Sequence, residues 1–140
     1  MECTIDWMGG ESMAFVAETG SGHLLTMDGA ADGGGRNLAP RPMETVLAGT
    51  GGCTAYDVML ILKRGRHDVT GCQVKLAAER ASTDPKVFTR IHLHFRIEGR
   101  NLSEAAVQRA IALSHEKYCS ATIMLAKTAE VTTSHEIVAV

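Results

Sequence analysis

The sequence predicts an α+β fold, in which helices cover one face of antiparallel sheet. Three observations carry this prediction: alternating strand patterns in residues 2–28 and 69–98, a long apolar helix between them, and two shorter helices before a last strand. The predicted order is βββ-α-ββ-αα-β, and segregated strands and helices are typical of α+β domains. A length of 140 residues fits one domain, so we predict a single domain over residues 1–140.

The first strands are short and separated by glycine turns. Cys3, Ile5 and Trp7 alternate with polar residues, which is the period-2 pattern of a half-buried strand. Strands are also predicted at residues 12–18 and 23–27, and tight turns between successive strands favour an antiparallel meander. Residues 28–41 are rich in turn-forming residues and are expected to be mobile.

Residues 41–65 predict one long helix that is apolar almost all the way round. Pro42 suits the first helical position, Gly65 suits the position just past the end, and Lys63 and Arg64 suit the last turn. The most apolar run, residues 53–62, is about half of the roughly 20 residues that a membrane-spanning helix needs. We therefore expect a central helix covered by the rest of the protein and in part by a second copy.

The second half of the chain alternates helix and strand patterns. Strands are predicted at residues 69–80, 88–98 and 131–138, and helices at 103–116 and 120–127. The clearest strand places four apolar side chains on one face and charged or histidine side chains on the other; the apolar set is Ile91, Leu93, Phe95 and Ile97.

Composition excludes several classes of protein. A net charge of −2 gives no reason to expect nucleic acid or an anionic membrane as a partner. The chain begins without a secretory pattern, so we expect a cytoplasmic protein. Its four cysteines lack CxxC or CxxH spacing, which argues against a structural zinc site, and no metal is predicted. In a reducing compartment these cysteines are expected to be free or redox-active thiols.

Two cysteines are candidates for chemistry. Cys53 follows Gly51 and Gly52, which indicate either close backbone approach or a helix that breaks and restarts there. A restart places Cys53 at a helix N-terminus, where unpaired N–H groups favour a thiolate, and Cys119 precedes a predicted short helix in the same way. The pair fits attack on a peroxide followed by disulfide formation; the alternative is that both are small core residues.

Other polar residues have a structural and a functional interpretation. Asp57 lies four residues after Cys53, on the same helical face, and either anchors a group near the thiol or is a paired structural carboxylate. His92 and His94 form an HxH pattern that suits a metal, although a solvent-facing row is the favoured interpretation. Cys3 and Cys72 fall on apolar strand faces and are expected in the core.

Two segments resemble the cysteine motifs of the OsmC/Ohr family (osmotically inducible protein C and organic hydroperoxide resistance protein). The stretch RPMETVLAGTGGCTAYDVMLILK resembles the first motif and EKYCSATIML the second, and the resemblance extends over essentially the whole chain, within the YhfA-type branch. It implies antiparallel sheets wrapped around long central helices in an intertwined homodimer. It also implies reduction of organic hydroperoxides by Cys53, resolution by Cys119, and re-reduction by an external dithiol or a lipoylated protein, with no bound cofactor.

The resemblance implies supporting residues as well. The family's peroxidases have an arginine in the N-terminal strands and a glutamate directly after the motif proline. Here no lysine or arginine precedes Arg36, so Arg36, Arg41 and His23 are the candidates for the cationic role. Glu44 comes one residue later than the family glutamate, about 100° further round the helix. These departures leave a second function open: a binding protein without catalysis, holding a hydrophobic small molecule or a thiol in the dimer cleft.

Overall fold

The computed structural model describes all 140 residues and divides into two compact units, Met1–Ala48 and Gly49–Val140. It contains six strands and three α-helices in the predicted order βββ-α-ββ-αα-β. The boundary between the units falls within the long helix, so each unit contains part of that helix.

The first unit contains a three-stranded antiparallel meander, as predicted. Strands β1 (Cys3–Trp7), β2 (Phe15–Thr19) and β3 (Leu24–Met27) pair in that order. All five residues of β1 are exposed in this chain, so the prediction of a half-buried strand with Cys3 in the core is wrong here. An alternating pattern identifies the strand but does not identify what covers its apolar face.

The segment between β3 and the long helix is organised around Asp28. This side chain is only 2% exposed, and its carboxylate accepts the backbone N–H groups of Gly29 (2.8 Å), Arg36 (2.9 Å) and Leu38 (3.0 Å). A short 3₁₀ helix (Ala31–Gly33) lies between these contacts. The expectation of a mobile segment overlooked that one carboxylate can hold a glycine-rich loop by its backbone.

Helix α1 (Pro42–Arg64) has nearly the predicted bounds and runs without interruption for 23 residues. At its start, the Glu44 carboxylate accepts the backbone N–H of Arg41 at 2.9 Å, which satisfies a donor left unpaired at a helix N-terminus. By length and composition alone, α1 is long enough and apolar enough to cross a membrane. The core helix of a water-soluble protein meets the same criterion, so this finding is weak by itself.

The second unit contains a mixed sheet. Strands β4 (Asp68–Arg80) and β5 (Phe88–Arg100) pair antiparallel, and β6 (Glu130–Ala139) pairs parallel to β5. The prediction of antiparallel sheet throughout is therefore wrong for β6. A parallel neighbour needs a crossover connection, and the helical segment between β5 and β6 provides one.

That crossover consists of two helices joined by a wider turn. Helix α2 (Glu104–Leu113) begins after Ser103, whose hydroxyl accepts the Ala106 N–H at 3.4 Å. The chain then forms a π turn (Ser114–Tyr118) before α3 (Ser120–Leu125). The predicted single helix over residues 103–116 is thus wrong in its last turn. Single π turns of this kind occur frequently at functional sites.

The core of the second unit is apolar and matches the predicted faces. The predicted face of β5 is buried, with Phe95 and Ile97 fully inaccessible. Buried residues of α1 and α2 complete this core, and they are Val58, Leu62, Val107, Ala110 and Ile111.

Candidate functional site

Cys53 lies inside α1 and not at a helix start. The helix is continuous through Thr50, Gly51 and Gly52, so the restart considered from the sequence does not occur. Gly51 instead permits a close approach: a Cβ atom there would lie 2.7 Å from Cδ1 of Leu76 on β4. Cys53 itself is half-buried, which leaves part of the residue accessible.

Cys119 lies at the junction between the π turn and α3. Its backbone N–H donates to the Ser114 carbonyl at 2.8 Å, and this bond closes the π turn. It is also the N-cap residue of α3, where its Sγ accepts the Thr122 N–H at 3.5 Å. Unlike Cys53, Cys119 is completely buried in this chain.

The fold brings Cys53, Cys119 and Asp57 together. The two Sγ atoms and one Asp57 carboxylate oxygen all lie within 4.8 Å of one another. Cys53 and Asp57 share a face of α1 because they are four residues apart. Cys119 reaches that face from more than sixty residues further along the chain. All four cysteines are free thiols in this structure.

A pair of buried hydroxyls holds Asp57, and the sequence analysis did not identify either one. The Ser114 hydroxyl donates to Asp57 Oδ2 at 3.3 Å, and it lies 2.9 Å from the Thr54 hydroxyl. Because the Ser114 proton points to the carboxylate, the Thr54 hydroxyl donates to Ser114. Thr54 and Ser114 are buried, with 2% and 0% exposure. The signal that the sequence offered was their position, because Thr54 directly follows Cys53 and Ser114 lies shortly before Cys119.

The electrostatics at Cys119 differ from expectation. Burial raises the pKa of the Cys119 thiol, the Thr122 hydroxyl and N–H oppose that rise, and the nearby Cys53 thiol adds to it. The expectation that a helix start favours the thiolate is therefore wrong for Cys119, because loss of hydration outweighs one long N–H···S contact. A raised pKa favours the protonated thiol of Cys119 at neutral pH.

A groove of about 330 Å³ opens beside the carboxylate. Its lining includes Asp57 together with apolar side chains and one cation, and the residues are Asp57, Leu60, Ile61, Arg64, Leu113 and Tyr118. The groove therefore offers apolar surface next to the thiol cluster, with Arg64 in its wall.

The remaining predicted supporting residues lie in the first unit, and their contacts there are structural. Glu44 accepts the Arg41 backbone N–H. The Arg36 backbone N–H donates to Asp28, and the Arg36 charge contributes to lowering the pKa of that carboxyl. Neither arginine has an ion pair with Glu44.

The other histidines and cysteines lie elsewhere. His92 contacts the hydroxyls of Thr132 (2.7 Å) and Ser134 (2.8 Å), and His94 contacts Ser134 at 2.8 Å, which forms a polar row across β5 and β6. This is the sheet-surface row favoured from the sequence. Cys72 on β4 is half-buried, and burial raises its pKa.

Comparison with known proteins identifies the family. The family model described as OsmC-like protein matches residues 33–134. Protein YhfA of Escherichia coli K12 is 48% identical over 139 residues, which is 99% of each chain. A hypothetical protein from Aquifex aeolicus VF5 has a solved structure that covers 99% of this chain and 96% of its own, with 27% identity and a TM-score of 0.85.

A more distant structure has the same fold. An organic hydroperoxide resistance protein OsmC from Legionella pneumophila is 19% identical, covers 97% of each chain and has a TM-score of 0.71. The α+β fold class and the family resemblance are thus both confirmed. On the family match and the full-length similarity to YhfA, the chain belongs to the OsmC-like protein family.

Proposed function

We propose that this protein reduces organic hydroperoxides with Cys53 and Cys119 as a redox pair. The observation that carries the proposal is the meeting of two free thiols and a carboxylate within 4.8 Å, formed by segments distant in sequence. Two thiols at this separation need only a modest approach to reach the S–S bond length of about 2.05 Å. The adjacent apolar groove suits the organic part of such a substrate.

Cys53 is the attacking thiol in this proposal, because it is half-buried whereas Cys119 is sealed. Its sulfur attacks the outer oxygen of ROOH, the O–O bond breaks, and the products are a Cys53 sulfenic acid and the alcohol ROH. The thiol proton ends on the alcohol oxygen. Asp57, held by Ser114, lies close enough to relay that proton.

Cys119 then resolves the sulfenic acid. Its sulfur bonds to the Cys53 sulfur, the S–O bond breaks, and water leaves with the Cys119 proton. Since burial keeps Cys119 protonated, a neighbouring base helps this step, and the Asp57 carboxylate is within reach. An external dithiol, such as a lipoylated protein, then reduces the disulfide by thiol–disulfide exchange.

The functional unit in this proposal is a cytoplasmic homodimer. Several large apolar side chains are exposed in the single chain, among them Ile5 (51%), Trp7 (56%), Tyr56 (68%) and Met124 (67%). Large exposed apolar surfaces mark interaction sites on soluble proteins, and a second copy is the partner that the family resemblance implies. Arg36 and Arg41 are the proposed cations that support the thiols in that assembly, together with Glu44.

Turnover of cumene hydroperoxide with dihydrolipoamide tests the redox proposal. Cys53→Ser is expected to abolish turnover, because no sulfenic acid forms. When dihydrolipoamide is left out, Cys119→Ser is expected to consume about one peroxide per chain and to retain a Cys53 sulfenic acid, which a dimedone adduct reports by mass spectrometry. Cys72→Ser is the matched control and keeps wild-type turnover. Unchanged turnover in Cys53→Ser overturns the proposal.

A second candidate function is ligand binding without catalysis. The specific observation in its favour is the largely apolar groove beside the thiol cluster, which suits a hydrophobic small molecule whether or not the thiols react. In this case native mass spectrometry of the protein from cells shows a bound small molecule, and peroxide is not consumed. Peroxide turnover that depends on Cys53 excludes this candidate.

A further inference from the structure

We propose that Cys53, Asp57 and Cys119 form a binding site for a thiophilic divalent cation, with Zn²⁺ as the representative ion. Two sulfurs and one carboxylate oxygen within 4.8 Å of one another form a set of ligand atoms able to enclose one ion. Thiolates select zinc and similar soft or borderline ions, and a carboxylate oxygen is a common third ligand. This site does not depend on peroxide chemistry.

Separations of up to 4.8 Å lie within reach of tetrahedral coordination. Zn–S bonds are about 2.3 Å and Zn–O bonds about 2.0–2.2 Å. In a tetrahedron those bonds place neighbouring ligand atoms roughly 3.5–3.8 Å apart, from the same bond lengths. Atoms that already lie within 4.8 Å reach this spacing by side-chain adjustment, and three protein ligands leave the fourth position for water.

Hydrogen bonds hold one oxygen of the Asp57 carboxylate in place. The Ser114 hydroxyl donates to Oδ2 of Asp57 and is itself hydrogen-bonded to Thr54, so one carboxylate oxygen is held and the other stays free to bind. Hydrogen-bonding partners of this kind fix ligand geometry, and losing one typically lowers metal affinity about 10–100-fold. At a metal site, the hydroxyls of Thr54 and Ser114 would hold the Asp57 ligand in position.

Protons and charge balance when the ion binds. The ion displaces one proton from each thiol, and the two thiolates and the carboxylate give the bound group a net charge of −1. The spacing of cysteines in the sequence does not reveal such a site, because its ligands come from the middle of α1 and from the residue before α3. The ion and a Cys53–Cys119 disulfide use the same sulfurs and exclude one another.

Cobalt substitution tests the site directly. Reduced full-length protein, freed of metal by a chelator, is titrated with Co²⁺ without oxygen, and the tetrahedral d–d and thiolate charge-transfer bands are followed. We expect one Co²⁺ per chain and its displacement by Zn²⁺. Cys53→Ser and Cys119→Ser are expected to lose the charge-transfer band, and Asp57→Asn to lose more than 10-fold in affinity.

Controls separate this proposal from misfolding and from the redox proposal. Cys72→Ser and Cys3→Ser are expected to keep the full spectrum, and Ser114→Ala to bind about 10–100-fold more weakly. Circular dichroism confirms the fold of each variant. If the wild-type chain has all four thiols reduced and still shows no cobalt bands, the metal site is overturned. That result is independent of the redox proposal, because peroxide turnover is measured separately in the presence of a chelator. Bands that persist in the Cys53→Ser/Cys119→Ser double variant overturn it equally.

Discussion

At the scale of single residues, Ser114 links the separate parts of the thiol cluster. It is fully buried, contacts Thr54 and Asp57 through its hydroxyl, and accepts the Cys119 N–H through its carbonyl. A buried hydroxyl with two partners leaves both unsatisfied when it is removed. Ser114 therefore affects the stability of the second unit as well as the chemistry.

We predict that Ser114→Ala lowers the free energy of unfolding by about 1–3 kcal/mol, the cost of leaving a buried polar partner unpaired. Urea unfolding followed by circular dichroism measures it. Ser120→Ala is the matched control, because Ser120 is exposed at the start of α3 and its removal is expected to cost within about 0.5 kcal/mol. Equal effects of the two substitutions would contradict the role of Ser114.

The lowered pKa of Asp28 makes the stability of the folded protein depend on pH. Three backbone N–H groups lower its pKa below the usual 3.8 in the folded protein, so the stabilisation is fully present above the unfolded pKa. It is lost as pH falls through the folded pKa. We therefore expect Asp28→Asn to lower the Tm by several degrees at pH 7, and the difference from wild type to shrink toward pH 2. A difference that does not change with pH would contradict this.

The sequence identified the thiols and Asp57 but not their hydroxyl partners, and the reason is physical. Cysteines are rare, and the four-residue spacing of Cys53 and Asp57 places both on one helix face. Serine and threonine in a helix carry no such signal, since their hydroxyls also bond to the nearby backbone. Thr54 and Ser114 become visible only when two distant helices meet.

At the scale of helices and strands, Gly51 shows that one sequence pattern can predict two different structures. The sequence allowed either a broken helix or a close approach at Gly51, and the contact with Leu76 supports the close approach. The π turn and the parallel pairing of β6 escaped prediction for a related reason. Both features depend on how the helices between β5 and β6 pack on the sheet. Hydrophobic periodicity indicates only which face of an element is buried.

We predict different outcomes for alanine substitution at two glycines in α1. Gly49→Ala is expected to stabilise the protein by up to about 1 kcal/mol, because alanine favours helix and no atom from another part of the fold lies within 4 Å of the added Cβ. Gly51→Ala is expected to lose that gain, because the added Cβ would lie 2.7 Å from Cδ1 of Leu76 and the leucine side chain must shift to admit it. Thermal or urea unfolding compares them, and a Gly51→Ala variant as stable as Gly49→Ala would contradict the close packing.

At the scale of the whole molecule, exposed apolar surface is the dominant feature. Only 28% of the most apolar window of α1 is buried within the single chain, and β1 is exposed along its whole length. The sequence predicted a helix covered in part by a second copy, and the surface of this chain supports that proposal. Alternation and helix length identify apolar faces, whereas neither one identifies what covers those faces.

We predict that the protein in solution has twice the mass of one 15.0 kDa chain. Size-exclusion chromatography with light scattering measures it across the micromolar range. Tyr56→Asp is expected to shift the population toward the monomer, since Tyr56 is a 68% exposed aromatic on α1 and a charge there opposes burial. A wild-type chain that runs as a monomer at every concentration would contradict the proposed assembly.

The π turn connects the Cys119 thiol to the Asp57 carboxylate. A single wide loop of backbone carries Ser114 at one end and is closed at the other by the hydrogen bond from the Cys119 N–H to the Ser114 carbonyl. One turn of backbone therefore connects the Cys119 thiol to the hydroxyl that donates to Asp57. The same turn thus sets both the position of a thiol and the hydrogen bonding of a carboxylate.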